Sequence, residues 1–269
     1  NVLYLADRNN KDQYDPLGPY IEKALQNRHE LRFFDPSQPA TEQLKGMDAV
    51  IDDELMENPE QLVEAATDLK LWQVVKTGFD EVPLTALKAK GIPTCNCPGD
   101  TTSKALAECA MMFILMLARD YNGGQDNFFN SKAWWQPVGK ELAELKLGII
   151  GFGASGQALA RRARAFDMEI HAIKRSPIKR EVIEEIPVAF AGTPDDLDQV
   201  ISECDFVSLH VPLNDITRQI MSARRIGLMK QDAYLINVGR GGLVDQDALF
   251  EALTAGKIAG AGLDVFAEE

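Results

Sequence analysis

The stretch KLGIIGFGASGQALARRARAF, Lys146 to Phe166, decides the fold. An apolar strand, Leu147 to Ile150, runs into Gly151-x-Gly153-x-x-Gly156, and a helix begins at once. Glycines at this spacing are weak evidence alone, but strand, loop and helix in this order make the dinucleotide fingerprint. Gly151 permits the tight turn, and Gly153 lets backbone approach a pyrophosphate. Gly156 lets helix and strand pack closely, while the helix N-terminus faces the negative charge. The competing reading, a strand-to-helix turn that holds nothing, does not need all three features together.

The second strand of the unit, EIHAI (Glu169 to Ile173), predicts the form of the dinucleotide. NAD calls for an acidic residue at that strand's end, to accept from the adenosine ribose hydroxyls. The sequence there reads Lys174-Arg175-Ser176, with no acid. Two cations and a hydroxyl suit a 2′-phosphate, so NADP(H) is favoured over NAD(H). The alternative is a solvated basic turn. The wider window is basic too: from Arg161 to Arg180, Arg161, Arg162, Arg164, Lys174, Arg175, Lys179 and Arg180 face two acids, Asp167 and Glu169.

Outward from this unit the chain alternates strands and helices. Ahead of it run VLYLA, PYIEKALQ, ELRFF, DAVI, PEQLVEAATDL, KLWQVV, PLTALKAKG and IPTCN. That alternation implies mostly parallel sheets covered on both faces. From Thr101 a long helix, TTSKALAECAMMFILMLARDY, opens on capping-type residues and is apolar nearly all round, which predicts burial between layers or subunits. A connection from Asn122 to Gly139 follows, and the second alternating series runs from LKLGIIGFG to the end. The expected architecture is α/β: two Rossmann-like domains, 1–98 and 99–269, the second binding dinucleotide and starting with the long helix.

Composition restricts the partners. A formal net charge of −13 over 269 residues opposes binding to nucleic acid or anionic membranes. The longest apolar run, Cys109 to Ala118, is half of the roughly 20 residues a membrane span requires. Cys95, Cys97, Cys109 and Cys204 form neither a disulfide framework nor a zinc pattern, so reduced thiols in a cytoplasm and no metal are expected. The chain opens on Asn1 with no leader-like segment before VLYLA and closes on GLDVFAEE, whose alternating Leu263, Val265 and Phe266 read as a strand. Both ends therefore read as trimmed.

GFGASG, DFVSLHVPL (Asp205 to Leu213), NVGRGGLVD (Asn237 to Asp245) and GLDVFAEE, in this order, resemble the D-isomer-specific 2-hydroxyacid dehydrogenases across essentially the whole chain. KTGFD (Lys76 to Asp80) is similar to that family's substrate loop, and LAE (Leu106 to Glu108) to its motif on the linking helix. The resemblance implies hydride transfer between a nicotinamide cofactor and small 2-keto or D-2-hydroxy acids, in a homodimer joined across the linking helix. It places the catalytic arginine at Arg240, where a guanidinium grips a carboxylate and carbonyl bidentately, and the glutamate at Glu269, which spacing favours over Glu268. The family's histidine follows that glutamate by about twenty residues, beyond residue 269, as does a helix returning to the first domain.

Further site residues carry over by position. Ala154 and Ser155 meet the pyrophosphate through backbone N–H groups, although many relatives have an aliphatic residue in place of Ser155. Val211 and Pro212 border the adenosine, Val238, Gly239 and Arg240 the nicotinamide ribose, and Asp264 the nicotinamide. Lys76, Thr77 and Gly78 offer donors to the substrate carboxylate. His210 has two readings, cofactor contact or packing. The same fold also occurs in dinucleotide-sensing corepressors; the acidic chain has no basic recruitment tail and carries Arg240 and a glutamate, which favours the enzyme.

Overall fold

A computed structural model of the protein describes residues 1–5, 16–26, 28–53, 59–130 and 137–268. The chain divides into two compact units, Asn1–Pro98 and Gly99–Glu269.

In the first unit, β1 (Val2–Tyr4), α1 (Gly18–Leu25), β2 (Leu31–Phe33), α2 (Ala40–Leu44), β3 (Ala49–Asp52), α3 (Pro59–Ala65), β4 (Leu71–Val74), α4 (Leu84–Ala89) and β5 (Thr94–Cys95) alternate. The five strands are parallel in the order β2-β1-β3-β4-β5, the flavodoxin-like order. Leu3, Val50, Trp72 and Val74 fill a core under α3 and α4 with Leu62 and Leu87. Buried polar groups are satisfied: the Trp72 indole donates to Asp52 at 2.8 Å and the Tyr4 hydroxyl to Asp53 at 2.9 Å.

The second unit opens with α5 (Ser103–Ala118) and α6 (Tyr121–Phe129). Then follow β6 (Lys146–Ile150), α7 (Ala154–Arg164), β7 (Glu169–Ile173), α8 (Arg180–Glu185), β8 (Phe190–Gly192), α9 (Leu197–Glu203), β9 (Phe206–Leu209), α10 (Ala223–Ile226), β10 (Tyr234–Asn237), α11 (Gln246–Thr254) and β11 (Gly260–Leu263). The six strands are parallel in the order β11-β10-β9-β6-β7-β8. Side chains alternate across β9: Phe206 joins the core beneath α5 and α7, and Val207 joins the opposite one. Both faces of the sheet are thus covered, as a parallel sheet requires.

Three local expectations are corrected. The helix begun near Thr101 stops at Ala118, because Asp120 takes a left-handed conformation (φ 45°) and its side chain accepts from Gly123 N, starting α6 inside the expected connection. The tandem glycines Gly123 and Gly124, poor helix formers, hid that helix in the sequence. Thr102 holds the N-cap position of α5 without a side-chain cap; instead the Ser103 hydroxyl donates to Asp100 O at 2.9 Å. Last, the final strand is Gly260–Leu263 and ends before Val265 and Phe266. Its glycines mask its β character. Gly262 is small because the Phe113 side chain of α5 lies where a Cβ would stand, 2.6 Å away.

Candidate active site

All strands of the second sheet run the same way, so the ends of β6, β7, β9, β10 and β11 share one edge. β6 and β9 are neighbours although β7 and β8 separate them in sequence. The winding reverses there, which is where open α/β sheets bind ligands.

The glycine loop leaves β6 at this point. Gly151 has φ +102°, and a Cβ on it would overlap the His210 carbonyl oxygen; one on Gly156 would overlap the Gly151 carbonyl. A Cβ on exposed Gly153, in contrast, meets nothing within 4 Å, so the space over the loop is open to a ligand. Among the described residues no side chain caps α7, and its ladder begins with Gln157 N to Gly153 O at 3.0 Å. Backbone donors of the first turn, Ala154 and Ser155 among them, precede that bond and suit an anion.

The groups around the loop come from neighbouring strand ends. Lys174 follows β7, its N–H bonded to Gly192 O at 3.0 Å, and Arg175 and Ser176 are exposed beyond it. Among the described residues, neither Lys174 nor Arg175 has an ion-pair partner. Other members of the basic window do: Arg161 pairs with Glu185, Arg162 with Glu108 of the LAE motif, and Arg180 with Glu184. The Arg161 and Arg162 pairs tie α7 to α8 and α5, and the Arg180 pair lies within α8. On the other side, the Val211 side chain packs on Gly151, and the Pro212 carbonyl accepts from the Thr217 hydroxyl at 2.6 Å.

His210, at the end of β9, is largely enclosed. Its Nδ1 lies 3.1 Å from the Ser155 hydroxyl and its Nε2 lies 3.0 Å from the Ser208 hydroxyl. Burial pushes the imidazole pKa down to about 4, so the ring is neutral near pH 7.

Arg240 follows β10 in a turn organised by Asn237, whose Nδ2 donates to Arg240 O at 2.9 Å and whose Oδ1 accepts from Gly239 N at 3.1 Å. Val238 is buried between them, and Arg240 Nη1 donates to Gly239 O at 3.0 Å. The backbone carbonyl of Asn237 also accepts from Asp264 N at 3.0 Å, bringing Asp264 beside the arginine turn. Beyond it the chain lies on Gly241, and Ala267 N donates to the Gln246 side chain at 3.0 Å. The Asp264 carboxylate is exposed and close to the Cys109 thiol of α5, whose pKa is raised by burial and by that carboxylate. Glu269 lies outside the described residues.

In the first unit, Lys76, Thr77 and Gly78 form the loop after β4. Cys97 N donates to Lys76 O at 3.0 Å and the Asn96 side chain donates to Thr77 O at 2.8 Å. Asn96, Asn237 and Gln246 went unrecognised in the sequence as positioning groups. Only Asn237 had a local signal: an amide two residues before Gly239 at a strand end is an Asx-turn pattern.

A fingerprint loop at the switch point, with cationic strand ends and no side-chain cap, fits a nicotinamide dinucleotide. Such a sheet defines a dinucleotide-binding α/β protein. The comparisons go further. Residues 111–269 match the D-isomer specific 2-hydroxyacid dehydrogenase NAD binding domain, and residues 13–184 match the catalytic domain of the same family. A hydroxypyruvate reductase of Thermotoga maritima is 35% identical over 260 residues, covering 95% of this chain and 82% of that one. A glyoxylate reductase of Thermococcus litoralis is 36% identical over 261 residues, covering 92% and 77%. The structure of a D-lactate dehydrogenase from Aquifex aeolicus, complexed with NAD and lactic acid, superposes with TM-score 0.81 at 29% identity, covering 100% of this chain and 78% of that one. The chain belongs to the D-isomer specific 2-hydroxyacid dehydrogenase family, NAD(P)-dependent oxidoreductases acting on CH–OH donors.

Proposed function

We propose that the protein reduces small 2-keto acids of the glyoxylate and hydroxypyruvate kind to D-2-hydroxy acids, with NADPH preferred over NADH. The observation that carries this reading is Arg240, set by Asn237 at the sheet edge beside Asp264. There a guanidinium can grip a carboxylate and polarise the neighbouring carbonyl. The substrate class is supported by the hydroxypyruvate and glyoxylate reductases among the relatives.

When bound, the nicotinamide supplies the hydride. The chain's residues do the rest. Backbone N–H groups of Ala154 and Ser155 hold the pyrophosphate over Gly151, Gly153 and Gly156, and Val211 and Pro212 border the adenosine. Lys174, Arg175 and Ser176 take a 2′-phosphate, a preference supported by the lack of ion-pair partners for Lys174 and Arg175 among the described residues. Val238 to Arg240 line the nicotinamide ribose, Asp264 orients the nicotinamide, and Lys76, Thr77 and Gly78 bind the substrate carboxylate. Glu269 accepts from a histidine further along the reading frame and raises its pKa, so that it protonates the forming alkoxide. In this scheme residues 1–98 form the substrate domain and 99–269 the cofactor domain. Exposed Met112 on α5 and Phe128 and Phe129 on α6 support a homodimer across these helices, which light scattering would register as a doubled mass.

The test is turnover. Protein expressed from the full reading frame is expected to oxidise NADPH faster than NADH with glyoxylate or hydroxypyruvate; no turnover across a panel of 2-keto acids would overturn the assignment.

A further inference from the structure

Ser208 is fully buried in β9, flanked by Ile149 of β6 and Ile236 of β10, and lies two residues before His210 on the same face of the sheet. Its hydroxyl has one hydrogen-bond partner among the described residues, His210 Nε2 at 3.0 Å. A hydroxyl has one hydrogen to give, and a buried donor seldom goes unpaired. Two arrangements are possible. If Nε2 carried the ring proton, it would donate to the Ser208 oxygen and leave the Ser208 hydrogen with no acceptor among the described residues. If Ser208 donates to Nε2, every group is satisfied, and the ring proton sits on Nδ1.

The second arrangement has a consequence 55 residues away in sequence. Nδ1–H then donates to the Ser155 oxygen at 3.1 Å, so Ser155 acts as acceptor toward the protein and keeps its own hydrogen. Ser155 stands in the first turn of α7, where no side chain caps the helix, and it is half-buried. Its hydrogen is thereby left to an anion at that helix end. Resting on the dinucleotide reading of this loop, we infer that the Ser208–His210 relay sets the Ser155 hydroxyl as a side-chain donor to the cofactor's pyrophosphate. His210 and Ser208 are positioning residues in this scheme, and Ser155 is the group that touches the ligand. His210 thus acts on the cofactor through another side chain.

The relay is tested by its protonation pattern and by binding. Nitrogen-15 NMR of histidine-labelled protein near pH 7, with His210 assigned by difference from His210→Asn, should show the Nδ1–H tautomer; the Nε2–H tautomer would overturn the inference. Ser155→Ala should weaken NADPH binding about tenfold by calorimetry, the size expected for one hydrogen bond to a charged group. His210→Ala should weaken binding comparably, and the double variant should be little worse than either alone. His210→Asn, whose amide can donate from the Nδ1 position, should recover much of the loss, which loss of packing alone would not predict. Wild-type affinity in Ser155→Ala would overturn the relay while leaving the dinucleotide site standing. A wild-type protein that binds neither NADPH nor NADH would overturn both.

Discussion

Gly241 supports the backbone of Phe266 so closely that a Cβ on Gly241 would overlap the Phe266 carbonyl. The turn bearing Arg240 and the segment after Asp264 are therefore stacked backbone on backbone, and the stacking depends on a missing methyl group. Gly241→Ala should push residues 264–268 off the arginine turn. We expect kcat/KM for the keto acid to fall roughly a hundredfold, the usual scale for about an ångström of misplacement. Affinity for the dinucleotide, measured by fluorescence quenching, should change far less, because the glycine loop is not involved.

Asn237 closes the same turn from within, at 1% exposure. Asn237→Ala leaves Gly239 N–H without its side-chain acceptor and removes one of the donors to Arg240 O, which keeps Leu243 N at 3.1 Å, at a cost of about 1–2 kcal/mol for half-buried groups. Thermal unfolding should register the loss as a lowered Tm. Steady-state kinetics should show a raised KM for the keto acid.

Arg240→Lys retains the charge and loses the fork. A lysine is a point donor that cannot hold a carboxylate and a carbonyl together. The variant should lose about a hundredfold or more in kcat/KM with the overall fold unchanged by circular dichroism. Activity close to wild type would mean that charge alone is needed at this position.

The basic turn after β7 makes a separate prediction. Lys174→Asp with Arg175→Ala places an acid where a 2′-phosphate would lie. The ratio of NADPH to NADH efficiency should fall at least tenfold, roughly the value of one charge-assisted contact. An unmoved ratio would show that the turn does not read the 2′-phosphate.

Stability should respond to pH through His210. Its pKa is lowered from 6.5 to about 4 by burial, so above pH 6.5 the ring is neutral in both the folded and the unfolded chain and has no effect. As pH falls from 6.5 towards 4, the unfolded chain takes up a proton that the folded one refuses. Stability declines across this window, approaching a loss of about 3 kcal/mol. The ion-paired Asp198 acts lower, since Arg224 and Arg225 depress its pKa from 3.8 to about 2 and its contribution is lost only as pH falls through that range. Urea midpoints between pH 7 and 4 should fall less steeply in His210→Asn than in the wild type.

Much of this protein was legible in its sequence because the information is local. The alternation of strands and helices, the glycine loop with Gly151 at positive φ, and the cationic end of β7 each depend on residues within a few positions of one another, where hydrogen bonding and sterics act directly. Local reading failed at α6 and β11, where glycine obscured the propensity and the element exists through its neighbours: β11 pairs with β10 and accommodates Phe113. The relationships that organise the site come from residues distant in sequence: His210 with Ser155, Asn237 with Asp264, Gly241 with Phe266, Gln246 with Ala267. The sequence determined which groups the site could use. The tertiary structure decided their partners, because a hydrogen bond depends on distance and direction, which parallel strands set only once the sheet has assembled.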